Sequence, residues 1–265
     1  MYDNTGKFIA EIFPDAIATW LLGSPIQLTQ LSPTELSNEP IRADSLILQQ
    51  SDNLVLHVEF QTQPKEDIPF RMADYRLRIY RRFPRKKMVQ VVIYLRPNNS
   101  PLVYQDSFNL EETNHKFRII RLWEETTETF LTVPGLLPFA VLSNTNNPRQ
   151  VLIQVAQVVN NITEKRTQSN LAAASGILAG LVLNQETIHQ ILRRDIMRES
   201  VIYQEILQEG KLEGKLEGKL EGKLEAKAEI ALNLFKERMT TEQVVKLTGL
   251  SLEFVQNLAK KINNN

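Results

Sequence analysis

Residues 88 to 95, Met-Val-Gln-Val-Val-Ile-Tyr-Leu, carry the most constraining pattern in the chain. A near-continuous apolar run of this length, closed by Pro97-Asn98-Asn99-Ser100-Pro101, fits a strand covered on both faces. Such strands sit in sheets that carry helices on each side. Over Lys7 to Leu22, Phe8, Ile9, Ile12, Phe13, Ile17, Trp20 and Leu21 recur at helical spacing, with Pro14 limiting or kinking that helix. Residues 41 to 48 and 54 to 63 read as two strands joined by a turn at Asp52-Asn53. A helix from about Pro69 to Arg82 follows, stopped by Pro84, and Phe117 to Trp123 reads as another strand. This order predicts an α/β fold with a mixed central sheet flanked by helices.

From about Asn147 onward the pattern is helical, opened by Pro148. Val151 to Val159 has apolar spacing, Asn170 to Leu183 is small and apolar, and Gln185 to Gln208 is amphipathic. The expected organisation is a first domain over residues 1–145, a helical extension over 146–209, a repeat helix or linker over 210–225, and a small tail over 226–265. In the tail, Thr240 with Gln243 forms a capping-box pattern, and Gly249 separates two short amphipathic helices, which resembles a helix-turn-helix. A packing module and a DNA reader both fit it.

The repeat has period four: three copies of Lys-Leu-Glu-Gly, then Lys-Leu-Glu, ending at Glu225. At 3.6 residues per turn, each step of four overshoots a full turn by about 40°, so Lys, Leu, Glu and Gly form four slowly winding rows. Lys211, Lys215, Lys219 and Lys223 are like-charged i,i+4 neighbours, as are Glu213, Glu217, Glu221 and Glu225, which weakens a lone helix. Each Gly costs roughly another 1 kcal/mol relative to Ala. Two copies lying parallel would set each Lys row against the partner's Glu row. A homodimer through the 210–225 helix and a solvated linker are the two readings.

Lys plus Arg and Asp plus Glu each number 31, so no global field draws the protein to nucleic acid or membrane. Any nucleic-acid contact must come from a local patch. Cysteine is absent, which excludes disulfides, thiolate metal sites and cysteine nucleophiles, and fits a reducing compartment. The polar start, Met1-Tyr2-Asp3-Asn4-Thr5, does not resemble a signal peptide. The longest apolar stretch, Leu171 to Leu183, is too short to span a bilayer. A cytoplasmic location without membrane contact is expected.

Asp44 falls in the first of the paired strands, and Glu59 and Gln61 in the second. Alternation puts Glu59 and Gln61 on one face and Val58 and Phe60 on the other. Carboxylates from two paired strands can converge, and they repel unless a cation intervenes. Two carboxylates, a backbone carbonyl and waters form a hard oxygen site suited to Mg²⁺ or Mn²⁺. Such a metal polarises a phosphoryl oxygen and acidifies a bound water. Charged residues also alternate on half-exposed strands without any function, so spacing alone leaves both readings open. His57 shares the face of Glu59 and could support it, although a lone strand histidine is more often structural. His115 and His189 have no spacing that argues for a metal.

The segment Ile41-Arg42-Ala43-Asp44 through Glu59-Phe60-Gln61, followed by Phe70-Arg71-Met72-Ala73-Asp74-Tyr75-Arg76, resembles PD-(D/E)XK nucleases. More narrowly, it resembles the recombination-promoting nuclease and transposase-like family, in forms common in cyanobacteria. The resemblance covers roughly residues 1 to 140, and a repeat-bearing tail is typical of the family. It implies a restriction-endonuclease-like core and magnesium-dependent endonuclease chemistry on DNA. Asp44 then matches the motif Asp, Glu59 the motif acid, and Glu11 an additional acid of the first helix that joins them at the metal. Gln61 stands where the superfamily usually has Lys. A Gln amide orients water but carries no charge, so the metal would carry more of the water activation, or the site has decayed to DNA binding and self-association alone.

Residues 71 to 87 hold Arg71, Arg76, Arg78, Arg81, Arg82, Arg85, Lys86 and Lys87 against the single acid Asp74, with Tyr75 and Tyr80 interleaved. Phosphate contacts from such residues would be sequence-independent and salt-sensitive. Arg71, Tyr75 and Arg76 are the expected DNA contacts, and a solvated helix face is the alternative.

Overall fold

The computed structural model describes residues 1–24, 26–30, 46–237 and 239–263. The expected strand over 41–48 is described only from Leu46, so Asp44 lies outside the described residues. The described elements are α1 (Tyr2–Ile12), α2 (Pro14–Leu22), β1 (Thr29–Gln30), β2 (Leu46–Gln50), β3 (Leu54–Gln61), α3 (Ile68–Arg82), β4 (Lys87–Tyr94), β5 (Ser107–Leu110), β6 (Thr113–Lys116) and β7 (Arg118–Arg121). After them come α4 (Thr127–Leu131), α5 (Leu137–Ala140), α6 (Pro148–Asn160), α7 (Lys165–Ala179), α8 (Gln185–Ile191), α9 (Arg194–Arg198), α10 (Val201–Lys236), α11 (Thr241–Thr248) and α12 (Leu252–Asn263).

The protein is mixed α/β. Its central sheet has the order β1-β2-β3-β4-β7. β1–β2 and β2–β3 pair antiparallel, whereas β3–β4 and β4–β7 pair parallel. The β2–β3 hairpin closes where Ser51 N–H donates to the Leu54 carbonyl at 2.9 Å, beside the expected turn residues. A parallel partner needs a crossover, and α3 supplies it between β3 and β4. Pro69 sits in the first turn of α3, where its missing N–H costs nothing, and the helix stops at Phe83 because Pro84 disfavours a helical residue before it.

The structure sharpens two expectations and adds one element. The helix over 7–22 is two helices: Pro14 opens α2, and Phe13 between them leaves helical geometry with ψ 56°. The strand over 117–123 is shorter, ending at Arg121 and passing into a 3₁₀ turn at Leu122–Glu124. A second sheet, the β5–β6 hairpin, went unread. Its two-residue turn, Glu111-Glu112, holds Glu111 at φ 48° with neither the Gly nor the Asn that normally marks such a turn.

Both faces of the sheet are covered. On one, α3 contributes Ile68 and Met72 to a buried cluster with Val92, Tyr94, Val103 and Phe117. On the other, Phe60 stacks on Phe139 of α5 at 5.7 Å, and Trp20 meets Phe130 and Phe139 edge-on and tilted. Gly6 of α1 crosses directly over the Phe60 ring. The small apolar stretch from Asn170 onward is explained by α7, where every residue from Ser169 to Gly176 is buried. A helix apolar all round belongs inside a bundle. Among the described residues no helix is long and apolar enough to cross a membrane.

The chain forms two units, Met1–Gln204 and Glu205–Asn265. The helices of residues 148–198 thus belong to the same unit as the sheet. In the second unit, Ala231 packs with Val244, Leu250 and Val255. The Thr240–Gln243 capping box is formed in both directions, and Gly249 ends α11 in the left-handed region at φ 63°. The Lys-Leu-Glu-Gly repeat lies within the single helix α10.

Candidate active site

β3 is the axis of the site. Its residues alternate as expected, but neither face is open: from Val55 to Gln61 every side chain is buried. His57, Glu59 and Gln61 form a row beneath α3, each at 0% exposure. Their register partners on β4 are Gln90, Val92 and Tyr94. A buried carboxylate is costly without a partner. Arg71, one turn into α3, supplies it: Nη2 donates to Glu59 Oε1 at 3.0 Å. Gln61 Nε2 reaches Glu59 Oε2 at 3.4 Å.

The same carboxylate marks its neighbours. Tyr94 is pushed up to about 12 by burial first and by the Glu59 charge second, with Arg121 opposing. Tyr75 is raised by burial, then by Glu59, while Arg71 acts in the other direction. The Tyr75 ring meets His57 edge-on at 5.0 Å.

Gln90 organises the other end of the row. Its Nε2 donates to the Met72 carbonyl at 2.8 Å and contacts His57 Nδ1 at 2.9 Å. A carbonyl only accepts, so the amide orientation is settled, and His57 Nδ1 must accept as well. The His57 ring proton therefore sits on Nε2, which faces Glu59 Oε1 at 3.8 Å and makes no hydrogen bond among the described residues. Gln90 Oε1 in turn accepts from His115 Nε2 at 2.8 Å. Burial, then the Arg76 and His57 neighbours, holds His115 below the usual histidine range. Gln90 and His115 were missed in the sequence. Gln90 was legible in principle as the one polar side chain in the Met88–Leu95 run, whereas His115 gave no signal.

Of the expected site residues, the structure brings together Glu59, Gln61, Arg71 and Tyr75. Glu11 does not join them: it lies on α1, which packs on the Phe60 face, and it accepts from Gln30 Nε2 at 3.1 Å and faces Lys7 at 4.0 Å. Arg76 instead lines a groove that it shares with His115. The basic segment is also less free than its charge suggests. Arg78 pairs with Asp74 at 2.9 Å, and Lys86 donates to Gln50 Oε1 at 2.7 Å and lies over the Phe83 ring.

Among the described residues no group of three His, Asp or Glu side chains is placed so that it could hold a metal ion. The donors offered to a cation are the Glu59 carboxylate and the Gln61 amide, both hard oxygens, which suit Mg²⁺ or Mn²⁺ and not a thiophilic metal. Arg71 occupies Oε1 of that carboxylate, and Oε2 is turned toward Gln61. No protein-family model, curated protein or solved structure matches the chain.

Proposed function

We propose that the protein is a Mg²⁺- or Mn²⁺-dependent endonuclease that hydrolyses DNA phosphodiesters, on the PD-(D/E)XK plan that its sequence resembles. The observation that carries this reading is the fully buried polar row His57, Glu59 and Gln61 in the central strand. Ionisable groups placed where burial is expensive concentrate at functional sites. In this reading Glu59 and Asp44 would hold the metal, which would supply positive charge at the phosphoryl oxygen and a more acidic water. Gln61 orients the attacking water through its amide. Arg71 holds the Glu59 carboxylate in place. The link to recombination or transposition and the cytoplasmic setting belong to the same proposal. So does self-association through the 210–225 helix.

One observation favours a second reading, a non-catalytic DNA-binding protein on the same scaffold. Arg71 already neutralises Glu59, and Gln61 cannot supply the charge a Lys would. Nicking of supercoiled plasmid with Mg²⁺ or Mn²⁺ separates the two. Wild type is expected to nick, and Asp44→Ala and Glu59→Gln are expected to abolish it. Nicking that survives both substitutions rejects the site, and binding without nicking by the wild type selects the second reading.

A further inference from the structure

β7 pairs only with Val91 to Tyr94 of β4, so the first half of β4 reaches past the end of that pairing. An open groove of about 540 Å³ lies there, between α3, the β5–β6 hairpin and the start of β7. Its polar lining is Arg76, Gln90, Asp106, His115, Lys116 and Arg118. Arg76, Lys116 and Arg118 thus contribute to a lining with one acid, Asp106. Arg118 is committed, its Nη1 donating to the Leu21 carbonyl at 2.8 Å. Among the described residues no ion pair engages the Arg76 guanidinium or the Lys116 ammonium. The floor is rigid: Gln90, 6% exposed, is tied to Met72, His57 and His115 at once. His115 spends Nε2 on Gln90, which leaves Nδ1 as its second hydrogen-bonding atom.

We propose that this groove binds a phosphate group through Arg76, His115 and Lys116, and that its source is a backbone phosphate of a nucleic-acid strand. This shares with the nuclease reading a nucleic-acid ligand but does not require cleavage. An Arg fork, a Lys point charge and an imidazolium N–H are complementary to a phosphate's three accepting oxygens. The groups facing His115 are Arg76 from α3, His57 through Gln90, and Asp106, Lys116 and Arg118 around the groove. Burial first, then Arg76 and His57, disfavours its protonation, and a bound phosphate offsets the Arg76 charge, so phosphate binding and His115 protonation reinforce each other.

The test uses the full chain, a fluorescein-labelled DNA duplex and inorganic phosphate. The chain has 3 histidines, so the His115 imidazole signal is assigned by its loss in His115→Gln. Inorganic phosphate is expected to raise the His115 titration midpoint, and Arg76→Gln with Lys116→Gln to abolish that shift. The same pair is expected to lower the slope of log K against log salt for the duplex by about one per cation removed. Circular dichroism confirms that each variant folds. An unmoved midpoint together with an unchanged slope overturns the groove. A moved midpoint with an unchanged slope overturns the strand as the source and leaves a free-phosphate site. Glu59→Gln is run in parallel: a wild type that fails to nick while the groove variants lose slope sinks the nuclease reading alone.

Discussion

Glu59 is held at 0% exposure by a guanidinium 3.0 Å away, and that pairing governs what happens when either partner is changed. Removing Arg71 leaves a desolvated carboxylate, so Arg71→Met is expected to cost about 3–5 kcal/mol. Pairing it with Glu59→Gln removes the stranded charge. The double variant is expected to recover stability, with a coupling of roughly 1–3 kcal/mol in a urea-denaturation cycle. Additive losses would show that the ion pair is incidental. Tyr94 makes a pH prediction. Its hydroxyl is protonated in both states below pH 10, and above it the unfolded chain ionises while the folded chain resists until about 12. The group's contribution is therefore complete below pH 10 and is lost as pH rises toward 12. Tyr94→Phe is expected to flatten the fall in urea midpoint across that window. An unaltered alkaline limb would exclude Tyr94 as its source. At this scale the alternation that pairs Glu59 with Gln61 is legible in the chain, because strand parity is local. The ligation of Gln90 to two histidines is not, because it needs the register of β3 against β4 and the height of a separate hairpin.

Elements were legible where a breaker or a period marks them. Pro84 ends α3, Pro148 opens α6, and the apolar run of β4 declares itself. The β5–β6 hairpin was not, since Glu111 adopts a left-handed conformation that its side chain does not advertise. The nature of β3 was also hidden. Its alternation matches a half-exposed strand, and only α3 lying across it turns the polar face inward. The opposite face depends on close approach: a Cβ on Gly6 would meet the Phe60 ring at 2.6 Å. Gly6→Ala gains about 1 kcal/mol in helix propensity. Overpacking is expected to outweigh that gain and to leave a net loss of about 1–2 kcal/mol in chemical denaturation. A stabilised variant would mean that α1 shifts away from the sheet without cost.

At the scale of the molecule, the net charge of zero conceals strong local asymmetry, and the two units differ in kind. The first is a sheet clad in helices, and the second is a small helical cluster around Ala231 and Val244. The repeat does form a helix, despite like-charge rows and glycines that oppose one in isolation. Parallel pairing of two chains through Lys and Glu rows would offset both. Sedimentation is expected to give twice the chain mass for the full protein and the single mass after deletion of residues 210–225. Equal masses would end the dimer. The period of the repeat was legible at once. Its conformation was not, because the penalties visible in the chain speak for a lone helix.

The β3–α3–β4 crossover carries a consequence for how the chain acquires its structure. Glu59 and its counter-ion are 12 positions apart and travel in the same supersecondary unit. Closing so short a loop is entropically cheap and fast. The acid therefore meets its guanidinium as α3 docks, and refolding never has to drive a bare anion into a greasy interior.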